Sequence, residues 1–310
     1  MSNQYYYTHG DRRGGRKKHK SSKGFSRLVL FLAIITVCSL LIKINGRSIY
    51  AGIINGSNSI SKKQLEIEQQ EAEAKLNTLN NSVNSVIDNN QNIDFEVSSV
   101  DITNDDKQLS YGQSGPMTAG SVSKILTAAD YLNEVELGKQ SLSQTFEDGD
   151  TASYALKQMI VVSDYDAWED LNDQLSYLQL QDYANRIGVN SFQWQNNTLS
   201  AYDTANLLAK LYKGKLLNKE HTDLLLGYLK QANYREFIVP AVPSYDTVYH
   251  KIGEYNDNVN DAAIITNRSQ STAVTLAIFT NGNGTYQWTQ RAEMMQQITK
   301  AFLTYYGLIS

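Results

Sequence analysis

Apolar and polar positions divide this chain into three regimes. From Leu28 to Ile42, fifteen residues (LVLFLAIITVCSLLI) pass without a charge or a polar face. With Phe25 and Ser26 before it and Lys43 and Ile44 after, the run approaches the ~20 residues of a bilayer-crossing helix. Residues 61–89 change to helical spacing: Leu65, Ala72, Leu79 and Val86 recur every seven residues, with Leu76 and Val83 interleaved. Lys62 and Gln69 hold the matching earlier positions, so the seam is incomplete. The expected structure is a stalk helix whose apolar stripe packs on the body. A weak self-association through residues 61–89 is the other use of that stripe. Asp88-Asn-Asn-Gln-Asn then reads as a break.

The third regime, residues 93–308, mixes periods. Alternation at Ile93, Phe95, Val97, Val100 and Ile102 predicts a strand, and Lys107–Tyr111 a short partner across an Asn104-Asp105-Asp106 turn. A helix follows over Gly120–Leu137, closed by Gly138, and helical spacing persists to Leu229. Strand character returns in Asp246–Lys251, Ala262–Thr266 and Thr272–Phe279, before a final helix over Trp288–Tyr306. This order predicts an α+β fold. The N-terminal strand pair completes an antiparallel sheet with the last three strands, and the helical middle packs against it.

Charge changes the picture more than composition does. The net charge of −4 averages a +7 tail (eight Lys/Arg against Asp11 in residues 1–27) and a −11 remainder. Basic residues before an apolar span keep the N-terminus cytoplasmic, so the body is expected outside the membrane as part of a single-pass protein. No small-residue cleavage site follows the run, which favours an uncleaved anchor. The chain is thus divided into a basic cytoplasmic tail (1–27), a transmembrane anchor (28–44), an extracytoplasmic stalk (45–92) and a folded body (93–308). The acidic body disfavours nucleic-acid binding. Cys38 is the sole cysteine and only four His occur, none as His-Glu-x-x-His, so neither a disulfide framework nor a metal site is expected.

Candidate chemistry begins at Ser121-Val-Ser-Lys124. Serine and lysine three apart on a helix share a face, so a desolvated Lys124 can take the Ser121 proton. Free N–H groups at the helix start can stabilise developing negative charge. The same spacing at Ser59…Lys62 shows how little the pattern says alone. Order adds the rest: Ser163-Asp164-Tyr165 follows an apolar run, and His250-Lys251-Ile252-Gly253-Glu254 lies in a late strand.

These three stations resemble the Ser-x-x-Lys, Ser-Asp-Asn and Lys-Thr-Gly motifs of class A β-lactamases and penicillin-binding proteins. The resemblance spans about residues 93–307, including Pro240-Ala-Val-Pro243 and the closing helix. It implies a class A β-lactamase-like fold with Ser121 as acylated nucleophile and Lys124 as its base. Ser163 would relay a proton to the leaving nitrogen, and Lys251 would lower its pKa and attract the substrate carboxylate. The N–H groups of Ser121 and Glu254 would form the oxyanion hole, with Tyr165, Ile252, Gly253 and Glu254 contacting substrate. The implied ligand is a β-lactam or a peptidoglycan-type peptide, with no cofactor and no metal.

Departures from the pattern limit the expected chemistry. Tyr165 replaces an amide that contacts substrate and lysine, and Ile252 replaces a threonine. The segment Val189–Thr198 contains no Glu or Asp where efficient class A enzymes carry the glutamate that activates the deacylating water. Acylation is expected to survive and fast deacylation to fail. The rival expectation is a catalytically degenerate module that holds a cell-wall peptide or partner protein in the same cleft.

Overall fold

The computed structural model describes residues 62–309. The tail and the apolar run 28–44 lie outside the described residues. Among those described, no helix is long and apolar enough to cross a membrane. The chain divides into two units, Met1–Ala72 and Glu73–Ser310; the body belongs to the second.

Helix α1 spans Lys62–Asp88. Its stripe does what the spacing predicts: Leu79, Val83 and Val86 are buried against Phe95, Val97, Ile298 and Phe302. The last turns of α1 are therefore part of the body's core, and the positions a coiled-coil seam would need there are already occupied. The strands are β1 (Asp94–Asp101), β2 (Lys107–Gly112), β5 (Thr247–Tyr255), β6 (Asn258–Thr266) and β7 (Ala273–Asn281). They form one antiparallel sheet in the order β2-β1-β7-β6-β5. The N-terminal pair thus completes the sheet begun by the last three strands. A two-residue pair, β3 (Met117–Thr118) with β4 (Thr198–Leu199), stands apart.

Layers cover both faces of the sheet, which explains why every residue of β6 is buried. Ala262 and Ile264 face the core shared with the helical middle, while Val259, Ala263 and Ile265 face the core shared with α1 and the last helix, α8 (Trp288–Tyr305). The middle comprises α2 (Lys124–Glu136), α3 (Ala152–Val161), α4 (Asp166–Leu175), α5 (Tyr177–Arg186), α6 (Ala201–Tyr212) and α7 (Lys219–Gln231). Helix α2 is buried on all sides from Lys124 to Leu132, as a central helix must be. Helix α6 starts at Ala201, because Leu199 pairs with Met117 and Ser200 caps the helix by accepting from Asp203 N.

Leu79 is 1% exposed. Truncating it to alanine is expected to cost roughly 2–5 kcal/mol of unfolding free energy, read by chemical denaturation; a change under about 0.5 kcal/mol would place α1 outside the core.

Candidate active site

Ser121 sits on a single 3₁₀ turn, Gly120–Ser123, that leads into α2. An α-helix through the whole motif was expected; the tighter turn places residues three apart more nearly in line. Long-range hydrogen bonds fix this turn. Asn260 on β6 donates to Thr118 O (2.9 Å) and Ala119 O (3.1 Å). Asn197 donates to Gly120 O at 3.1 Å, and its own carbonyl accepts from Ala119 N at 2.8 Å. Two glycines then let the turn touch β5. A Cβ on Gly120 would lie 2.6 Å from Glu254 N, and one on Gly253 would lie 2.1 Å from Ala119 O and 3.0 Å from Ser121 N. Gly120 also has φ +56°, which favours glycine. This close approach brings the amides of Ser121 and Glu254 to one end of a cleft.

Two lysines converge on the second motif. Lys251 points from β5 into the helical middle and is 2% exposed; its Nζ donates to Ser163 Oγ at 2.8 Å and to Ile252 O at 3.1 Å. Lys124 Nζ donates to the carbonyls of Ser163 (2.7 Å) and Asp164 (2.8 Å). Ser163 is thus held at both its hydroxyl and its carbonyl, with φ at 65°, a strained value for serine. Asp164 is an ordinary helix-start acceptor, receiving Ala167 N at 3.0 Å. Burial pulls Lys124 down to about 8, opposed by the nearby Asp164. Burial and then repulsion from Lys124 pull Lys251 to about 7. Both lysines can therefore exchange protons near neutral pH.

The cleft measures about 600 Å³ and is lined by Ser121, Lys124, Tyr165, Trp168, Asn197 and Glu254, among others. Tyr165, from the second motif, forms part of the mouth: it is 57% exposed and donates to Glu169 at 2.7 Å. Glu254 accepts from Tyr286 Oη at 2.9 Å. Gly253 meets the turn that carries Ser121 through its backbone. Ile252 does not contact the cleft. It packs with Val248, Phe237 and Ile278 in the core on the opposite face of the sheet, because successive strand residues alternate and Lys251 takes the inner side. The missing threonine hydroxyl thus gives way to a core side chain. His250 also faces away from the cleft, with Nδ1 3.1 Å from Asp261.

Several residues that line the cleft or brace its wall were not apparent in the sequence. Trp168 lies one turn beyond Tyr165, where an aromatic reads equally well as core. Asn197 belongs to the segment noted only for lacking an acid, and Asn260 to a strand whose start was placed at Ala262. Gln195, Asn196 and Asn197 line the cleft with amides. Among the described residues that line it, Glu254 is the one carboxylate, and it sits on β5 rather than in that segment.

Taken together, the sheet and the helical middle bring Ser121, Lys124, Tyr165 and Glu254 to one cleft, with Ser163 joining Lys124 to Lys251 beside it. The chain belongs to the β-lactamase enzyme family, whose model matches residues 78–306. Solved structures share its fold. A point mutant of PBP-A, as its acyl-enzyme complex with penicillin G, superposes with a TM-score of 0.69 at 18% identity, covering 76% of this chain and 98% of that one. A mutant of the last common ancestor of Gram-negative bacteria class A β-lactamase gives 0.69 at 17% identity, covering 74% and 98%. A β-lactamase from Xanthomonas campestris pv. campestris gives 0.67 at 16% identity, covering 72% and 95%. No protein with curated function matches the chain in sequence.

The strain at Ser163 can be measured. Ser163→Ala and Ser163→Gly both lose the bond from Lys251, but only glycine relieves the positive φ. The glycine variant is expected to be more stable than the alanine variant by about 1 kcal/mol in denaturant titration; equal stabilities would show no strain there.

Proposed function

We propose that this protein is a serine acyl-enzyme hydrolase or transferase of the β-lactamase and penicillin-binding type, acting on β-lactams or peptidoglycan-type peptides. The observation that carries this reading is that Ser121 and Lys124 line one cleft while Lys124 and Lys251 both bond Ser163. In this reading a neutral Lys124 takes the Ser121 proton as its oxygen attacks the amide carbon. The carbonyl oxygen gathers negative charge beside the amides of Ser121 and Glu254. As the C–N bond breaks, Ser163 gives its hydroxyl proton to the departing nitrogen and is reprotonated by the proton Lys124 received, while charged Lys251 stabilises the developing anion and draws in the substrate carboxylate.

Hydrolysis of the ester should be slow. The turn beneath Ser121 offers amides where an activated water would need a base, so the acyl-enzyme should accumulate. We also propose that residues 28–44 anchor the chain in the cell membrane with the body outside, on the charge asymmetry of the sequence. A binding-only role for the cleft has weaker support, because a buried lysine pair is costly to keep without a use for it.

Labelling by a fluorescent penicillin tests the reading. Ser121→Ala should lose the label by roughly a thousandfold or more, while a label that survives would remove Ser121 as nucleophile. No labelling together with retained muropeptide binding would favour the binding-only role.

The pH profile is a second test. Acylation needs Lys124 neutral, which improves as pH rises toward about 8, and Lys251 charged, which is lost as pH rises through about 7. The two protons belong to a coupled pair, so the expected profile is a bell with its maximum between those values. A rate flat from pH 6 to about 9 would contradict it.

A further inference from the structure

Lys124 has an aromatic neighbour that the three motifs do not anticipate. Its Nζ lies 5.5 Å from the centre of the Trp168 ring, within the range where an aromatic face attracts a cation. That ring is held in place. Trp168 Nε1 donates to Thr127 Oγ1 at 3.0 Å. Indole nitrogen can only donate, so the hydroxyl accepts there and gives its own hydrogen to Asn172 Oδ1 at 3.2 Å. The direction of the chain, Trp168 to Thr127 to Asn172, is therefore fixed. Thr127 and Asn172 are both fully enclosed, at 0% and 1% exposure, so water does not compete for these bonds. Thr127 lies three residues beyond Lys124 on α2. The helix that carries the lysine thus also carries the hydroxyl that sets the indole against it.

The third residue of the Ser-Asp-Asn pattern normally offers this lysine an amide. Here Tyr165 turns outward to Glu169, and its ring meets Trp168 edge-on at 5.9 Å. We infer that Trp168, oriented by Thr127, replaces that amide as the partner of the Lys124 ammonium and sets the pH at which Lys124 becomes a base. Trp168 and Thr127 are then positioning residues. Other charged groups face Lys124 as well. Asp164, in the turn before α4, favours the ammonium, and Glu254 lies on the same cleft. Lys251 on β5 opposes it. The turn at Gln195–Asn197 presents amides alone. Trp168 adds to the first group without adding a charge.

The consequence for catalysis rests on the acyl-enzyme reading above, but the titration of Lys124 does not. The test follows the ¹³Cε resonance of Lys124 in the full-length chain, assigned by its loss in Lys124→Arg. Trp168→Leu keeps an apolar wall but removes the π face, and should lower the Lys124 midpoint by roughly 0.4–1.5 pH units. Trp168→Phe should fall between the leucine variant and wild type. Thr127→Val, nearly the same size, should move the midpoint the same way by less, and Thr127→Ser should restore it. The acid limb of the acylation profile should follow each shift. Folded leucine and valine variants with an unmoved Lys124 titration would overturn the inference, as would a serine variant that behaves like the valine one. If the chain forms no acyl-enzyme, the titration still decides this point, and the reading above fails by itself.

Discussion

Everything at this site depends on the hold that Lys251 and Lys124 keep on Ser163. One lysine comes from the edge strand of the sheet and the other from the central helix, and they bind the hydroxyl and the carbonyl of one residue. That residue lies at the break between α3 and α4, so three parts of the fold are fixed against one another at one point. Ionic groups taken out of water are expensive unless their hydrogen bonds are met. Here the donors are met chiefly by carbonyls and by Ser163. The strained φ of Ser163 persists because these bonds and the surrounding packing over-determine it.

Ser121 is positioned by a second constraint that depends on the first. Gly120 and Gly253 allow backbone to meet backbone between the 3₁₀ turn and β5, and Asn260 and Asn197 hold the carbonyls on either side. With β5 pinned at its middle by Lys251, the neighbouring Gly253 and Glu254 can be placed beside Ser121. A side chain at either glycine would open this contact, and with it the alignment of the two amides.

Much of this was legible in the sequence. The order of helices and strands followed from period and turn chemistry, and the stripe on α1 announced the surface it would bury. The four polar candidate residues came from three short motifs in a fixed order, and Lys124 and Lys251 are both hydrogen-bonded to Ser163 in the fold. Ile252 was misread as a cleft residue, although strand alternation beside an inward Lys251 already pointed it to the other core. Trp168, Asn197 and Asn260 were less accessible, because their roles come from partners distant in sequence. Asn260 matters through Thr118 and Ala119, and Asn197 through Gly120, and no local pattern encodes such pairings. The single 3₁₀ turn under Ser121 was likewise hidden, since its tightness reflects contact with β5 rather than propensity.

Slow release of an acyl group is the property proposed here to set this site apart from an efficient β-lactamase. The lysines and serines of the proposed mechanism are present, yet amides line the cleft at Gln195–Asn197, the segment from which a base would activate water. Intact-protein mass spectrometry after mixing with a penicillin measures this most directly. The expected result is a one-to-one adduct that maps to Ser121 and outlasts the free drug's removal. Fast consumption of the penicillin with no adduct detectable at Ser121 would contradict it.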